Sequence, residues 1–409
     1  MIGAGPAGLE AALAADRHGA RVTLVDALPE PGGQIWRGLW GKHPGGRAGA
    51  CLRALAASSV ALCLGRRVIT HPATGRLGLL GPGGPEILPY DRLVLATGAR
   101  ERFLPFPGWT LPGVLGAGGL QALVKGGLDV AGRRVVVAGT GPLLLAVASF
   151  LRRKGALVRV VAEQAPRSAL LRLGPGLLRQ PGLLAQALAF LNLPLQPGTW
   201  VTRAEGEGAL REVHLATPGG PRVLEADYLA CGFGLVPNLD VARLLGCGIR
   251  AGAVAVDHFQ RTDLPDVFAA GESTGVGGVA KSLAEGRVAG LAAAGRESQA
   301  LGGSGAARRA RAWGLALEAA FALRPELRDL AEPGTVLCRC ENVTVGEVRT
   351  FTRGRDARLH ARCGMGRCQG RTCAPATEFL YGWEPGGPRV PLVPTSFADL
   401  VGALESERP

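Results

Sequence analysis

The chain has 409 residues, 47% hydrophobic and 19% charged, with a formal net charge of +13. That length holds two to three domains with full-sized cores, and that balance excludes a disordered chain. The positive charge is arginine scattered along the chain, with lysine only at Lys42, Lys125, Lys154 and Lys281 and no basic run interleaved with aromatics, so it argues for acidic cofactors and an acidic partner surface rather than nucleic acid.

Gly3-Ala4-Gly5-Pro6-Ala7-Gly8 opens the chain. Only Met1-Ile2 precede it, so most of the strand that leads into such a turn is absent from this sequence, and no signal peptide is read. A helix is expected over 9–18 and a strand over 21–25, with Asp26 at the strand's end. Gly3 suits the tight turn, Gly5 the approach of backbone to a pyrophosphate, and Gly8 close helix–sheet packing. The helix N-terminus offers free N–H groups to phosphates, and Asp26 can accept hydrogen bonds from the ribose hydroxyls of an adenosine. A glycine turn with no ligand is the plain alternative.

Residues 93–99 form an apolar strand ending in a small-residue turn, and 228–234 repeat it. Between them the opening pattern recurs: a strand over 134–138, then Gly139-Thr140-Gly141-Pro142-Leu143-Leu144, a helix to about 154, and a strand over 157–162 ending in Glu163. Leu144 stands where the third glycine belongs and should push the helix off the strand, so this site is expected to bind nothing or only an adenosine nucleotide. Glu163 would repel a 2′-phosphate. The same apolar stretch, broken by Gly139, Gly141 and Pro142, is too interrupted for a membrane span. A soluble, cytoplasmic protein is expected, with a peripheral position at the inner membrane face left open. Residues 266–272 then read as a strand delivering Glu272 after Gly271, followed by Gly277-Gly278 and a helix over 280–291. Glu272 could bond a flavin's ribityl hydroxyls, with the helix N-terminus toward the pyrophosphate or the isoalloxazine edge.

Residues 301–333 are helical and rich in arginine and alanine, a spacer or packing helix without assignable chemistry. A short helix is expected over 342–351, Thr344 capping it with Glu347 three residues on. Five of the nine cysteines fall between 338 and 373, in Cys338-Arg339-Cys340 and Cys368-Gln369-Gly370-Arg371-Thr372-Cys373, with Cys363 repeating the second spacing. Such clustering suits a reduced compartment and a thiolate-held centre. An iron–sulfur cluster, structural zinc and free thiols are the three readings, the redox context favouring the first. The helix expected over 374–381 would lend its N-terminus to a negatively charged centre. Cys51, Cys63, Cys231 and Cys247 read as small buried apolar residues. No C-x-x-C pair exists, which weakens a disulfide-reductase reading. His18, His43, His71, His214, His258 and His360 are isolated, and no catalytic acid–base set is assigned.

From residue 3 to about 290 the chain resembles the two-dinucleotide-domain flavoproteins that include thioredoxin reductase and glutathione reductase. That resemblance implies FAD held by Gly3, Gly5, Pro6, Ala7, Gly8 and Asp26, by Thr97 and Gly98 of the family's ATG turn, and by Gly271-Glu272 in place of its usual Gly-Asp. Pro31-Gly32-Gly33-Gln34-Ile35-Trp36-Arg37, residues 96–113, Cys338-Arg339-Cys340-Glu341 and residues 362–371 look like one subfamily, which adds Gly33 and Gln34 to the cofactor set. It comprises the α-type subunits of heteromeric amino-acid and opine dehydrogenases: opine oxidase, hydrogen cyanide synthase, D-hydroxyproline and L-proline dehydrogenases, and part of the sarcosine oxidase α chain. The tail is similar to the bacterioferritin-associated-ferredoxin type of [2Fe–2S] domain, whose pattern implies Cys338, Cys340, Cys368 and Cys373 as ligands and Cys363 as a spare.

The resemblance implies an α/β fold of two Rossmann-like dinucleotide-binding domains plus a small cysteine-rich domain. The FAD domain would span 1–112 and 246–300, the inserted NAD(P)-like domain 113–245, a helical linker 301–333 and the [2Fe–2S] domain 334–409. It also implies an FAD-containing β subunit on which the amine is oxidised, a small ferredoxin-like γ subunit, and FMN at a subunit interface. NAD(P) or ATP at the second site is left open. The chain would relay electrons toward a quinone or another acceptor. A stand-alone NAD(P)H-dependent flavoprotein reductase and a non-catalytic nucleotide-binding scaffold are the alternatives.

Overall fold

The computed structural model describes residues 1–42, 44–178 and 180–405. The chain forms two compact units, one of residues 1–100, 236–315 and 387–409, the other of 101–235 and 316–386.

In the first unit a parallel layer forms around the residue that precedes the glycine turn. Ile2 bridges Val25 on one side and Leu95 on the other. Outside these lie the parallel pairs Thr23–Asp26 with Ala61–Leu64 and Leu93–Leu95 with Val267–Ala269. Two residues thus occupy the central strand position whose shortness the sequence predicts. The helix after the turn runs Pro6–Asp16, with proline at its first position, where a missing N–H costs nothing. It packs against the Gly278–Ala293 helix along alanine and glycine, burying Ala7, Ala11, Val288 and Ala289. Arg67–Ala73, Arg76–Gly81 and Gly84–Pro89 make a separate antiparallel sheet.

The second unit holds a five-stranded parallel sheet in the order Leu195–Pro197, Leu157–Glu163, Arg134–Thr140, Tyr228–Phe233, Val114–Gly116. Its central strands, Arg134–Thr140 and Tyr228–Phe233, are almost wholly buried, as the middle of a sheet covered on both faces requires. Leu144, which the sequence predicts to hold the following helix away, is buried and packs toward Gly232 on the neighbouring strand, whose missing side chain makes the room. One apolar cluster joins Val136, Val160, Leu229 and Phe233 of this sheet to Leu337, Val348, Ala376 and Trp383, so the cysteine-rich segment shares the unit's core. The Trp109 indole N–H donates to the Val336 carbonyl at 2.6 Å. The stretch from residue 387 groups with the first unit instead, where Leu392 N donates to Ile69 O and the Phe397–Glu405 helix lies beside the antiparallel sheet.

Candidate functional site

The first unit gathers the residues of the opening motif. Gly8 touches Gly3 so closely that a Cβ on it would lie 1.7 Å from the Gly3 carbonyl oxygen. Asp26 accepts from Ala4 N at 2.6 Å and from Leu28 N at 2.8 Å, which fixes the carboxylate at the mouth of the turn. The Pro31–Gly33 loop returns over it: Gly32 N donates to Ala4 O, and Gly33, at φ +58°, has no room for a Cβ, which would lie 2.8 Å from the Gly5 Cα. Gly3, Gly5 and Gly33 thus form a cradle of bare backbone, the surface a pyrophosphate needs. Gln34 is exposed and accepts from the Arg37 guanidinium.

Thr97 and Gly98 are fixed by Asn238, which sequence reasoning missed. The Thr97 hydroxyl donates to Asn238 O at 2.6 Å, Asn238 Nδ2 donates back to Thr97 O at 2.9 Å, and Asn238 N donates to Gly98 O. Gly271 sits against Ala7 with φ +81°. The Glu272 carboxylate accepts from Gly277 N at 3.2 Å and Gly278 N at 2.8 Å, so it caps the Gly278–Ala293 helix, and the side chain expected on a ribityl chain lies on that helix N-terminus. Burial raises its pKa. Beneath it lies an ion-pair network with no sequence signal. Lys281 Nζ donates to Gly271 O, Thr274 Oγ1 and Glu285 Oε2 at 2.7–2.9 Å, and Arg311 closes on Glu285 Oε1 at 2.8 Å.

In the second unit, Glu163 occupies the position that corresponds to Asp26. It accepts from Gly141 N at 2.7 Å and Ala165 N at 2.8 Å. Unlike Asp26 it is closed off, only 3% exposed, and burial pushes its pKa up to about 7. The cover is residues 321–324, read from sequence as part of a featureless helix. Phe321 O accepts from the Thr140 hydroxyl, Ala322 O accepts from Gln164 Nε2, and Arg324 N donates to Gln164 Oε1, all within 3.1 Å. The Arg324 guanidinium lies over the Trp200 ring, 4.6 Å from its centre. This strap crosses the end of the strands where a dinucleotide's ribose would enter.

The expected ligand cysteines divide. Cys338, Cys363 and Cys373 are buried with their Sγ atoms all within 4.8 Å of one another. Cys340 and Cys368 hydrogen-bond one another instead, Cys340 being exposed. Hydrogen bonds from the Cys363 and Cys373 thiols lower the Cys338 thiol, while the contact with Cys338 and burial push Cys363 up. Three thiols that converge in one buried place make a soft donor set of the kind iron and zinc take.

A family model described as pyridine nucleotide-disulphide oxidoreductase matches residues 1–296. The chain belongs to that family. Over 99% of its length it is 33% identical to a subunit of opine oxidase from Rhizobium meliloti (strain 1021), covering 98% of that protein. It is 31% identical to the HcnB subunit of hydrogen cyanide synthase from Pseudomonas aeruginosa, over 91% of this chain and 90% of that one. Among solved structures, L-proline dehydrogenase from P. horikoshii superposes with a TM-score of 0.71 at 19% identity, over 98% of this chain and 78% of that one, a likeness of fold. The chain is thus an FAD-dependent oxidoreductase of this pyridine nucleotide-disulphide family, with subunits of larger enzymes among its relatives.

The nine cysteines form no disulfide, and burial raises the thiols of Cys51 and Cys247 to about 11. Among the described histidines His360 stacks on Phe351, His258 lies on Phe259 and His71 is pushed down by burial; His43 lies outside the described residues. No helix is long and apolar enough to cross a membrane among the described residues.

Proposed function

We propose that this chain is the FAD- and [2Fe–2S]-containing electron-transfer subunit of a heteromeric amino-acid or opine dehydrogenase, in which a partner flavoprotein oxidises the amine. The observation that carries the reading is the convergence of buried thiols at the end of a chain whose start is a glycine cradle. The bare backbone of Gly3, Gly5 and Gly33, the Asp26 carboxylate at the mouth of the turn and the contact of Gly271 with Ala7 support FAD as the occupant. The cysteine set fits an iron–sulfur cluster by donor chemistry. When bound, FAD supplies two-electron and the cluster one-electron chemistry. The strap over Glu163 favours a partner over NAD(P)H as the electron source, because the second dinucleotide fold is closed at its ribose end. The relatives' names, subunits of opine oxidase and hydrogen cyanide synthase, point to a shared chemistry on C–N bonds.

The test is anaerobic purification followed by a visible spectrum and an iron assay, then reduction trials. The expected result is flavin and cluster absorption with about two irons per chain, no bleaching by NADH, and bleaching by amine once the partner flavoprotein is co-expressed. Rapid bleaching by NADH alone would make the chain a self-contained reductase. A colourless protein would leave a nucleotide-binding scaffold.

A further inference from the structure

We propose that the chain docks on an anionic lipid surface through the excursion between the strands Leu157–Glu163 and Leu195–Pro197 of the second unit. This goes beyond the relay reading and stands without it, because lipid binding is measured with no electron transfer. Two observations meet at this excursion, a one-sided charge and a set of leucines turned out to solvent.

Residues 130–204 hold ten arginines and lysines against a single acid, Glu163, and so carry most of the chain's net charge of +13. Glu163 is buried beneath the strap, so this stretch shows solvent no carboxylate. Arg134 and Arg203 are engaged with Glu225, Asp227 and Glu332. Arg152, Arg153, Lys154, Arg159, Arg167 and Arg172 are exposed, and no ion pair joins them to an acid among the described residues. Unpaired cations gathered on one stretch attract a surface of the opposite sign.

The chain leaves the sheet after Glu163 and returns as its edge strand, Leu195 pairing with Val161. Between them run three short helices, Arg167–Leu171, Gly174–Leu178 and Pro181–Ala189, interrupted where Pro175 and Pro181 restart the path. Leu171, Leu178, Leu188 and Leu191 are left 55–77% exposed, and Leu157 at the end of the neighbouring strand is 52% exposed. Arg152 Nη1 donates to Asn192 O at 2.7 Å, which ties the end of the Pro142–Arg153 helix to the returning loop. The groove there is lined by Arg152, Leu157, Arg159 and Pro194, two guanidiniums beside a leucine, which suits the phosphate of a lipid headgroup. The centre of a protein–protein contact is richer in aromatic rings, and leucine is scarce among its dominant residues. Leucines standing out among cations are instead what reaches past headgroups into the acyl boundary.

The experiment is sedimentation of the full chain with vesicles of phosphatidylcholine alone and of phosphatidylcholine containing about one-third phosphatidylglycerol. The wild type should bind the anionic vesicles, more weakly as salt rises, and leave the neutral ones in suspension. Arg167→Gln/Arg172→Gln should bind roughly thirtyfold more weakly, at about fivefold per charge. Leu171→Ser/Leu191→Ser should lose about tenfold or more at unchanged charge. Arg308→Gln/Arg309→Gln, which removes two exposed charges from the Glu297–Ala320 helix, should bind as the wild type does. All six side chains are exposed, so unchanged denaturation midpoints report that each variant folds. No binding to anionic vesicles, or equal binding to neutral ones, would overturn the proposal and leave the face to an acidic protein. Equal weakening by the control pair would reduce it to the net charge of the chain, and an unaltered leucine variant would remove insertion; either result overturns it.

Discussion

Lys281 is 1% exposed and Glu285 wholly buried, so their ion pair is held in a place where either charge alone would be severely desolvated. Arg311, Thr274 and the Gly271 N–H also donate to Glu285, and Lys281 reaches the Gly271 carbonyl. Removing one partner leaves an uncompensated charge, so Glu285→Ala should destabilise the first unit by ~3–5 kcal/mol, and the double change Lys281→Met/Glu285→Leu by clearly less. Urea-induced flavin release measures both; equal midpoints for the single and double variants would count against this account. Glu163 sets a second residue-scale expectation. Thr140 has one hydroxyl proton, yet its oxygen lies 2.9 Å from Glu163 and 3.1 Å from the Phe321 carbonyl. A protonated Glu163 resolves this by donating to Thr140, which frees the Thr140 proton for Phe321. Its folded pKa of about 7 stands above the ordinary 4.5, so the folded state binds more protons in between. The stabilisation is therefore complete below about 4.5 and lost as pH rises through about 7, at most ~3 kcal/mol in all. Glu163→Gln should flatten the difference in urea midpoint between pH 5 and pH 8, and an unchanged pH slope would remove Glu163 as its source.

At the scale of elements, the Pro6–Asp16 and Gly278–Ala293 helices meet backbone to backbone. A Cβ at Gly290 would lie 2.2 Å from the Ala11 carbonyl oxygen, which the rigid helix cannot yield. Gly290→Ala should cost ~1–3 kcal/mol by overpacking. The same substitution at Gly302, exposed in the Glu297–Ala320 helix with nothing within 4 Å of the new methyl, should gain ~0.5–1 kcal/mol. A like sign for both in denaturation midpoints would contradict the packing argument. The strap is tested by amide hydrogen exchange: Gln164→Ala removes the acceptor of Arg324 N, and that amide should exchange at least tenfold faster. These elements differ in how plainly they announce themselves. The Thr344–Glu347 capping box and the helix over Ala374–Tyr381 were legible because capping residues and apolar periodicity are local signals, and both are present. The strap was not, since a loop carbonyl accepting a threonine proton leaves no residue-type signature. Glu272 was legible as an acid delivered by a strand after glycine but not as a helix cap, because its partners are backbone N–H groups. The evenly spaced cysteines could not reveal that Cys363 is buried; it follows the left-handed backbone of Arg362, and arginine does not advertise that.

At the scale of the molecule, each unit has apolar clusters of its own, one set around Ile2, Leu95 and Ala269, the other around Val136, Leu229 and Leu337. Unfolding is then expected in two steps, flavin release reporting the first unit and reaction of the buried Cys363 thiol the second, with separate urea midpoints. A single shared midpoint would show that the units melt as one. The order in which the chain is made adds a consequence of the way the first unit's parallel layer is composed. Its Leu93–Leu95 strand pairs with Val267–Ala269, whose residues leave the ribosome only after the whole 101–235 segment. At ~5–20 residues per second, the earlier strand waits on the order of ten to thirty seconds with one edge bare. Translation of this protein thus passes through a nascent state with an unpaired apolar edge, so its yield in a cell should depend on the chaperones that attend elongating chains and on the speed of elongation across that interval.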